Sequence, residues 1–329
     1  MARSRTVVLA LTGIVLALLA VALLAGSVSV TVTDVWLAFL GRGAPSVEYI
    51  VREVREPRAL TGVLAGAAFG LSGGIFQSLI RNPLASPDIL GITMGASVAA
   101  VMCLLVVGGS GVAVTVSALC GAFGTAFLIY LLAWRRGVSG HRLVIVGIGV
   151  SAVLSSVVSY VMTRSQVRDA QQALVWLTGS LAARTWTDVR PLVLALVVLV
   201  PAALVLAAAL RPLQFGDETA RGLGVGVERS RLGLVLVAVA LAAFATAAAG
   251  PVAFVAFMSA PVARRLVGRG GPALVPAALV GAVVLLGSDL VAQRVLGAVT
   301  LPVGVVTGVL GAPYLLWLVA TTHRIGSTG

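Results

Sequence analysis

Lysine is missing from this 329-residue chain; all 23 basic residues are arginine. That absence excludes a P-loop, which reaches nucleotide phosphates with a lysine, so any ATP used here is hydrolysed by another chain. Charge of either sign is scarce. Only 10% of residues are charged against 59% hydrophobic, and mean hydropathy is +1.10. A soluble domain of this length needs a far more charged surface, so the chain reads as an integral membrane protein. Cys103 and Cys120, the two cysteines, fall inside apolar stretches without CxxC spacing, which fits packing residues better than disulfides or metal ligands. His141 and His323 stand apart beside arginines, and two isolated histidines make no metal site.

What is present is long apolar runs. A helix needs about 20 apolar residues to cross a bilayer core, and ten runs qualify as spans, at approximately 6–28, 59–80, 89–108, 112–134, 142–162, 190–210, 232–250, 251–267, 272–290 and 303–322. The chain is therefore expected to be a single all-α, polytopic membrane domain over 1–329. The run from Thr6 follows MARSR and exceeds the about 7–15 residues of a signal-peptide core, so it is expected to remain as an uncleaved first span. Residues 232–267 are split at Gly250–Pro251, because proline breaks a helical ladder and glycine permits the turn.

A net charge of +12 could suggest nucleic acid, but the arginines sit in short clusters between spans, as the positive-inside rule requires. With the amino terminus inside, the inner segments hold fourteen arginines against four acids and the outer segments nine against seven. This places both termini in the cytoplasm, and no nucleic-acid partner is expected.

Three connecting segments are too long for turns. VTDVWLAFLG, within 29–58, reads as an interfacial helix with Trp36 and Phe39 at headgroup depth. DAQQALVWLTGSLAARTW, within 163–189, reads as a half-helix carrying Trp176 and Trp186. The 21-residue inner loop Arg211–Arg231 mixes charges with glycines and holds a helix-sized piece from Asp217 to Gly222. Such a segment cannot enter lipid, where unpaired polar backbone costs several kcal/mol. Its length, beside inner turns of a handful of residues, suggests a docking element. In the fifth span Ser151, Ser155 and Ser159 repeat every four residues on one face; serines so spaced mediate close packing or give a pathway a weakly polar lining.

Between the second and third spans lies a polar knot, RNPLASPDILGITMGAS (Arg81–Ser97), where Ser86 can cap a helix, Pro87 fits its first position and Asp88 suits its positive end. This wording resembles the hairpin after the second helix in permease subunits of iron-siderophore and cobalamin ABC importers. Further stretches match that family in order: REPR (Arg55–Arg58), FGDETARGLGV, GPVAFVAF with ARRLVG, then GSDLVAQR with LPVGVVTGVLGAPYLLWL. The resemblance implies a ten-helix type II importer permease with inverted repeats in spans 2–5 and 7–10, which suits a second span entering from outside and a seventh from inside. It implies import of a ferric siderophore, or of cobalamin, haem or another metal chelate. It also implies two cytoplasmic ATPases that bind the ATP, a second permease, an extracytoplasmic binding protein and no cofactor on this chain.

By the same resemblance, Phe215, Gly216, Asp217, Glu218, Thr219, Ala220, Arg221, Gly222, Leu223 and Gly224 form the ATPase-coupling segment. Arg55, Arg58 and Arg294 meet acidic side chains of the binding protein. The fifth helix borders the translocation path, which makes Ser151, Ser155 and Ser159 candidate lining residues. Two departures stand out. Where many members have Val-Pro-His before Ala-Arg, this chain reads Ser259-Ala260-Pro261-Val262-Ala263-Arg264, and the outer arginine expected at Gln293 is displaced to Arg294. Both resemble permeases that work in unequal pairs. Asp289, near the outer end of span nine, is expected to form an ion pair with Arg294. A secondary transporter would need coupling-ion carboxylates at midplane, and a membrane enzyme a convergent set of His, Asp, Glu or Cys. The sequence offers neither.

Overall fold

A computed structural model describes residues 2–26, 28–134, 140–268, 271–294 and 301–323. Among these residues all regular structure is helical. The elements are α1 (Ala2–Leu24), α2 (Val32–Phe39), α3 (Pro45–Tyr49), a π-helical turn (Ile50–Arg55) running into α4 (Glu56–Ile80), and α5 (Ile92–Met102) with a second π turn (Cys103–Val107). They continue as α6 (Val112–Ala133), α7 (Gly140–Arg164), α8 (Val167–Leu177), α9 (Trp186–Gln214), α10 (Asp217–Gly222), α11 (Val227–Ala249), α12 (Val255–Val267), α13 (Leu274–Ala292) and α14 (Val303–His323).

Seven helices, α1, α4, α6, α7, α9, α11 and α13, are long and apolar enough to cross a membrane. With the shorter apolar helices Ile92–Val107 and Val303–Leu318 and the 13-residue α12, the described residues hold about ten such segments. Two faces result: one carries the start of α1, the 81–91 link and α10; the other carries α2 and α8. On the α2 face Thr31 and Asp34 form a capping box that starts α2, and the Thr31 hydroxyl and backbone N–H hold the Asp34 carboxyl below its ordinary value. Trp36 on that helix is exposed.

The core is two buried helices, α4 and α11, with others arranged about them, while α1 and α7 bury little. The neighbours obey a pseudo-two-fold relation between α4–α7 and α11–α14. α4 packs on α13 as α11 packs on α6, α4 packs on α12 as α11 packs on α5, and α5 on α7 as α12 on α14. At the centre the Ser72 hydroxyl of α4 donates to the Ala238 carbonyl of α11 over 2.7 Å.

The close approach is made by glycine. A methyl group added at Gly66 would overlap the carbonyl of Gly281 in α13, one at Gly70 the carbonyl of Ala277, and one at Gly73 the carbonyl of Ala256 in α12. Small residues let membrane helices touch backbone to backbone, where dispersion must replace the hydrophobic effect.

Three expectations change at the helix starts. Ser86, Pro87 and Asp88 do not begin a helix: they make a tight turn, with Leu90 N–H bonded to Ser86 O at 3.0 Å and Ile92 N–H to Pro87 O at 3.0 Å. Gly91, at φ +80°, separates that turn from α5, so the third pass begins at Ile92. Likewise α12 begins at Val255, after Phe254 at φ +66°, and Trp186 opens α9 instead of belonging to the half-helix α8.

Gly66→Ala and Gly73→Ala should each destabilise the protein by about 1–3 kcal/mol, the range for overpacking. Gly124→Ala in α6, which meets nothing within 4 Å, should be neutral or stabilising because alanine is the better helix former. Thermal unfolding in detergent reads the contrast.

Candidate functional site

On one face a knob projects. α9 ends at Phe215, Gly216 turns the chain at φ +115°, and α10 packs its Ala220 inward. Hydrogen bonds from Val225 N–H to Ala220 O (2.9 Å) and from Leu223 N–H to Thr219 O (3.0 Å) close it. Asp217 ties the knob to α11 through Arg231, at 2.9 and 3.1 Å, and lies 3.9 Å from Arg81 at the end of α4. Glu218, Thr219, Arg221, Gly222 and Gly224 are solvent-facing or partly so. Phe215 and Leu223, however, are 76% and 65% exposed. Two large exposed apolar side chains thus flank a charged helix.

Behind the knob the two broken passes meet. Asp88 sits between Thr93 at the start of α5 and the Phe254 backbone at the start of α12. It thus lies between the amino ends of the two shortened helices. Its Oδ2 is enclosed and has no partner among the described residues. Below it, Gln77 donates to Phe257 O (2.8 Å) and accepts from Arg264 (2.7 Å), binding α4 to α12. The hairpin wording pointed to Asp88 as a helix-end acid; its second helix was invisible from sequence, 166 residues further on.

The arginines of the opposite face are drawn inward. Arg55 donates to the carbonyls of Leu23 (2.8 Å), Leu24 (3.0 Å) and Val28 (2.6 Å), supplying partners for the carbonyls that α1 leaves open at its end. Arg58 grips Asp289 of α13 with two parallel bonds of 2.9 and 2.8 Å, and Gln293 adds a third at 2.8 Å. The expected Asp289–Arg294 pair is therefore corrected: the partner is Arg58, because a five-residue offset turns Arg294 away while α4 packs directly on α13. Arg55, Arg58, Asp289 and the exposed Arg294 line a cavity of about 710 Å³.

On α7 the serines separate. Ser151 is half-buried against Gly91, where a methyl would meet its Cβ at 3.1 Å. Ser155 and Ser159 are exposed, and α7 buries only Leu143 and Gly147 against its own chain.

Comparison with known proteins places this geometry. The model of the FecCD transport family matches residues 14–321. The chain is 41% identical over 299 residues to the ferric enterobactin transport system permease protein FepG of Escherichia coli (strain K12), covering 91% of each. It is 37% identical over 289 residues to the iron(3+)-hydroxamate import system permease protein FhuG of Bacillus subtilis (strain 168), covering 85% of this chain and 86% of that protein. A solved metal-chelate type ABC transporter in an inward-facing conformation superposes with a TM-score of 0.86 at 27% identity, over 96% of this chain and 99% of that one. The chain is accordingly an integral protein of the inner membrane with a permease fold.

The Arg58–Asp289 pair has a measurable signature. Arg58→Leu alone should cost about 3–5 kcal/mol by leaving a buried carboxylate unpaired, whereas Arg58→Leu with Asp289→Leu should recover most of it. Unfolding of the two variants in detergent separates these outcomes.

Proposed function

The chain belongs to the FecCD transport family, and from that premise we propose that it is the membrane permease of an ABC importer that carries ferric siderophores inward. The likeness along nearly the whole chain to a metal-chelate transporter carries this reading. The named relatives handle a ferric enterobactin and an iron hydroxamate. Those chelators share little beyond bound iron(III), so ferric siderophore is the class this likeness supports. The iron travels inside its chelate as substrate, and this chain needs no cofactor of its own.

Energy comes from two cytoplasmic ATPase subunits. They bind the segment Phe215–Gly224, whose knob shape and exposed Phe215 and Leu223 support that role. The α10 face is then cytoplasmic, with both termini, which agrees with the arginine excess of those segments. The α2 face receives the substrate-binding protein. Arg58 and Arg294 stand at the docking cavity, while Arg55 builds its wall by holding the end of α1. A second permease completes the path. The broad uncovered surface of α7, with Ser155 and Ser159, borders that path; its few charges suit a bulky chelate that must not bind tightly inside. The Ser259-Ala260-Pro261 wording and the position of Arg294 support an unequal pair.

Shortening the 215–224 segment by several residues should abolish siderophore uptake while the protein still inserts and accumulates; normal uptake would remove the coupling role. Arg294→Glu should weaken capture of the binding protein most at low salt, where exposed charges act furthest. Coexpressed with the ATPase and binding protein alone, this chain should give no uptake until a second permease is added. Active particles holding two copies of this chain and no other permease would overturn the unequal pair.

A further inference from the structure

Beside the root of the knob lies a cavity of about 470 Å³ between the end of α4, the end of α9 and α12, bounded on one side by Phe215. Its polar lining is rich in donors. Arg264 gives one bond to Gln77 Oε1 (2.7 Å) and Arg81 one to Leu213 O (2.6 Å), yet a guanidinium carries five N–H donors. Two of the acceptors nearby are already engaged: Gln77 Oε1 by Arg264, and Asn82 Oδ1 by Leu84 N–H at 2.9 Å. Asp217 is held by Arg231 at 2.9 Å and stays 3.9 Å from Arg81. Ser78, 4% exposed, also lines the cavity, and its Oγ is enclosed with no partner among the described residues.

Two guanidinium groups and an unpartnered hydroxyl around a cavity of this size complement an anionic group that only accepts hydrogen bonds, and charge-assisted bonds of that kind are the strong ones. We propose that this cavity is a carboxylate socket: an Asp or Glu side chain of the docked ATPase subunit inserts between Arg81 and Arg264 while α10 sits on that subunit's surface. The proposal rests on the reading that α10 docks the ATPase. Its location argues for that source of the carboxylate, because Gln214 and Phe215 form both the cavity wall and the stem of the knob. The acid would bear on the end of α4 and, through Arg264 and Gln77, on α12. Contact with the ATPase would thus reach the two helices nearest the broken passes, beyond the knob itself.

The test measures binding of the purified ATPase subunit to the full-length permease in detergent, at low and high salt. The variants are Arg81→Gln, Arg264→Gln, Ser78→Ala and one with the 215–224 segment shortened, each checked for unchanged thermal unfolding. Arg81→Gln, whose side chain is about half exposed, tests the socket should Arg264→Gln fail to fold. The proposal expects Arg81→Gln to weaken binding at least about tenfold at low salt. It also expects Arg81→Glu to be rescued by one Asp→Arg or Glu→Arg change among the ATPase's surface acids. Unaltered affinity in Arg81→Gln, with binding still lost on shortening the segment, would overturn the socket and leave the α10 assignment standing. Binding that survives both would overturn both. Inorganic phosphate bound by the permease alone, together with ATPase affinity indifferent to Arg81, would mark the cavity as a free oxyanion site and equally overturn the proposal.

Discussion

Helix α4 touches α12 and α13 backbone to backbone because Gly66, Gly70 and Gly73 put no side chain between them, and the rest of the bundle follows from that contact. In lipid there is no water to satisfy stray peptide groups, so breaks in a pass are tolerated only where protein encloses them. A tightly packed centre provides that enclosure. α4 and α11 are mostly buried, and the two breaks are covered by protein too, 81–91 by Gly147 and Ser151 of α7 and 250–254 by Gly179 and by Gly311 of α14. The pseudo-two-fold pairing then places one break opposite the other, with Asp88 between the two amino ends.

The same geometry links the outer parts of the molecule. Arg58 and Asp289 hold α4 to α13 near the α2 face. At the other end Arg81 sits 3.9 Å from Asp217 of the knob, and Gln77 with Arg264 fixes α12 to α4 one turn deeper. Between α10 and the breaks these contacts are polar, carried by side chains with specific partners. A permease that must open its path on command from a cytoplasmic engine needs such a connection. α7 and α14, by contrast, are sparsely covered.

Much of this was legible in the sequence where the signal is local. Apolar runs bounded by arginine marked the passes, Gly250–Pro251 marked the second break, and the charged glycine-rich stretch after Arg211 marked the knob. Signals that depend on long-range contact were not legible. Nothing local pairs Asp289 with Arg58, 231 residues away, so an arginine five residues on stood as the nearest candidate. Arg55 read as a surface cation because the carbonyls it caps belong to a helix that ends thirty residues earlier. The start of α5 was misplaced for a different reason: Ser86, Pro87 and Asp88 have the chemistry of a helix start, but Gly91 in the left-handed region ends their turn before a helix can continue. Phe254, half-buried with its side chain against Gly311, takes φ +66°.

The central claim is that this chain moves an intact ferric chelate by ATP-driven import. The direct measurement is uptake into proteoliposomes holding the complete complex, with radio-iron and an isotopically labelled siderophore followed together. ATP on the ATPase side should drive both labels into the compartment that holds the ATPase in equal molar amounts, with no accumulation when ATP is replaced by a non-hydrolysable analogue. Accumulation driven by an ion gradient without ATP, or iron arriving without its chelator, would contradict the account.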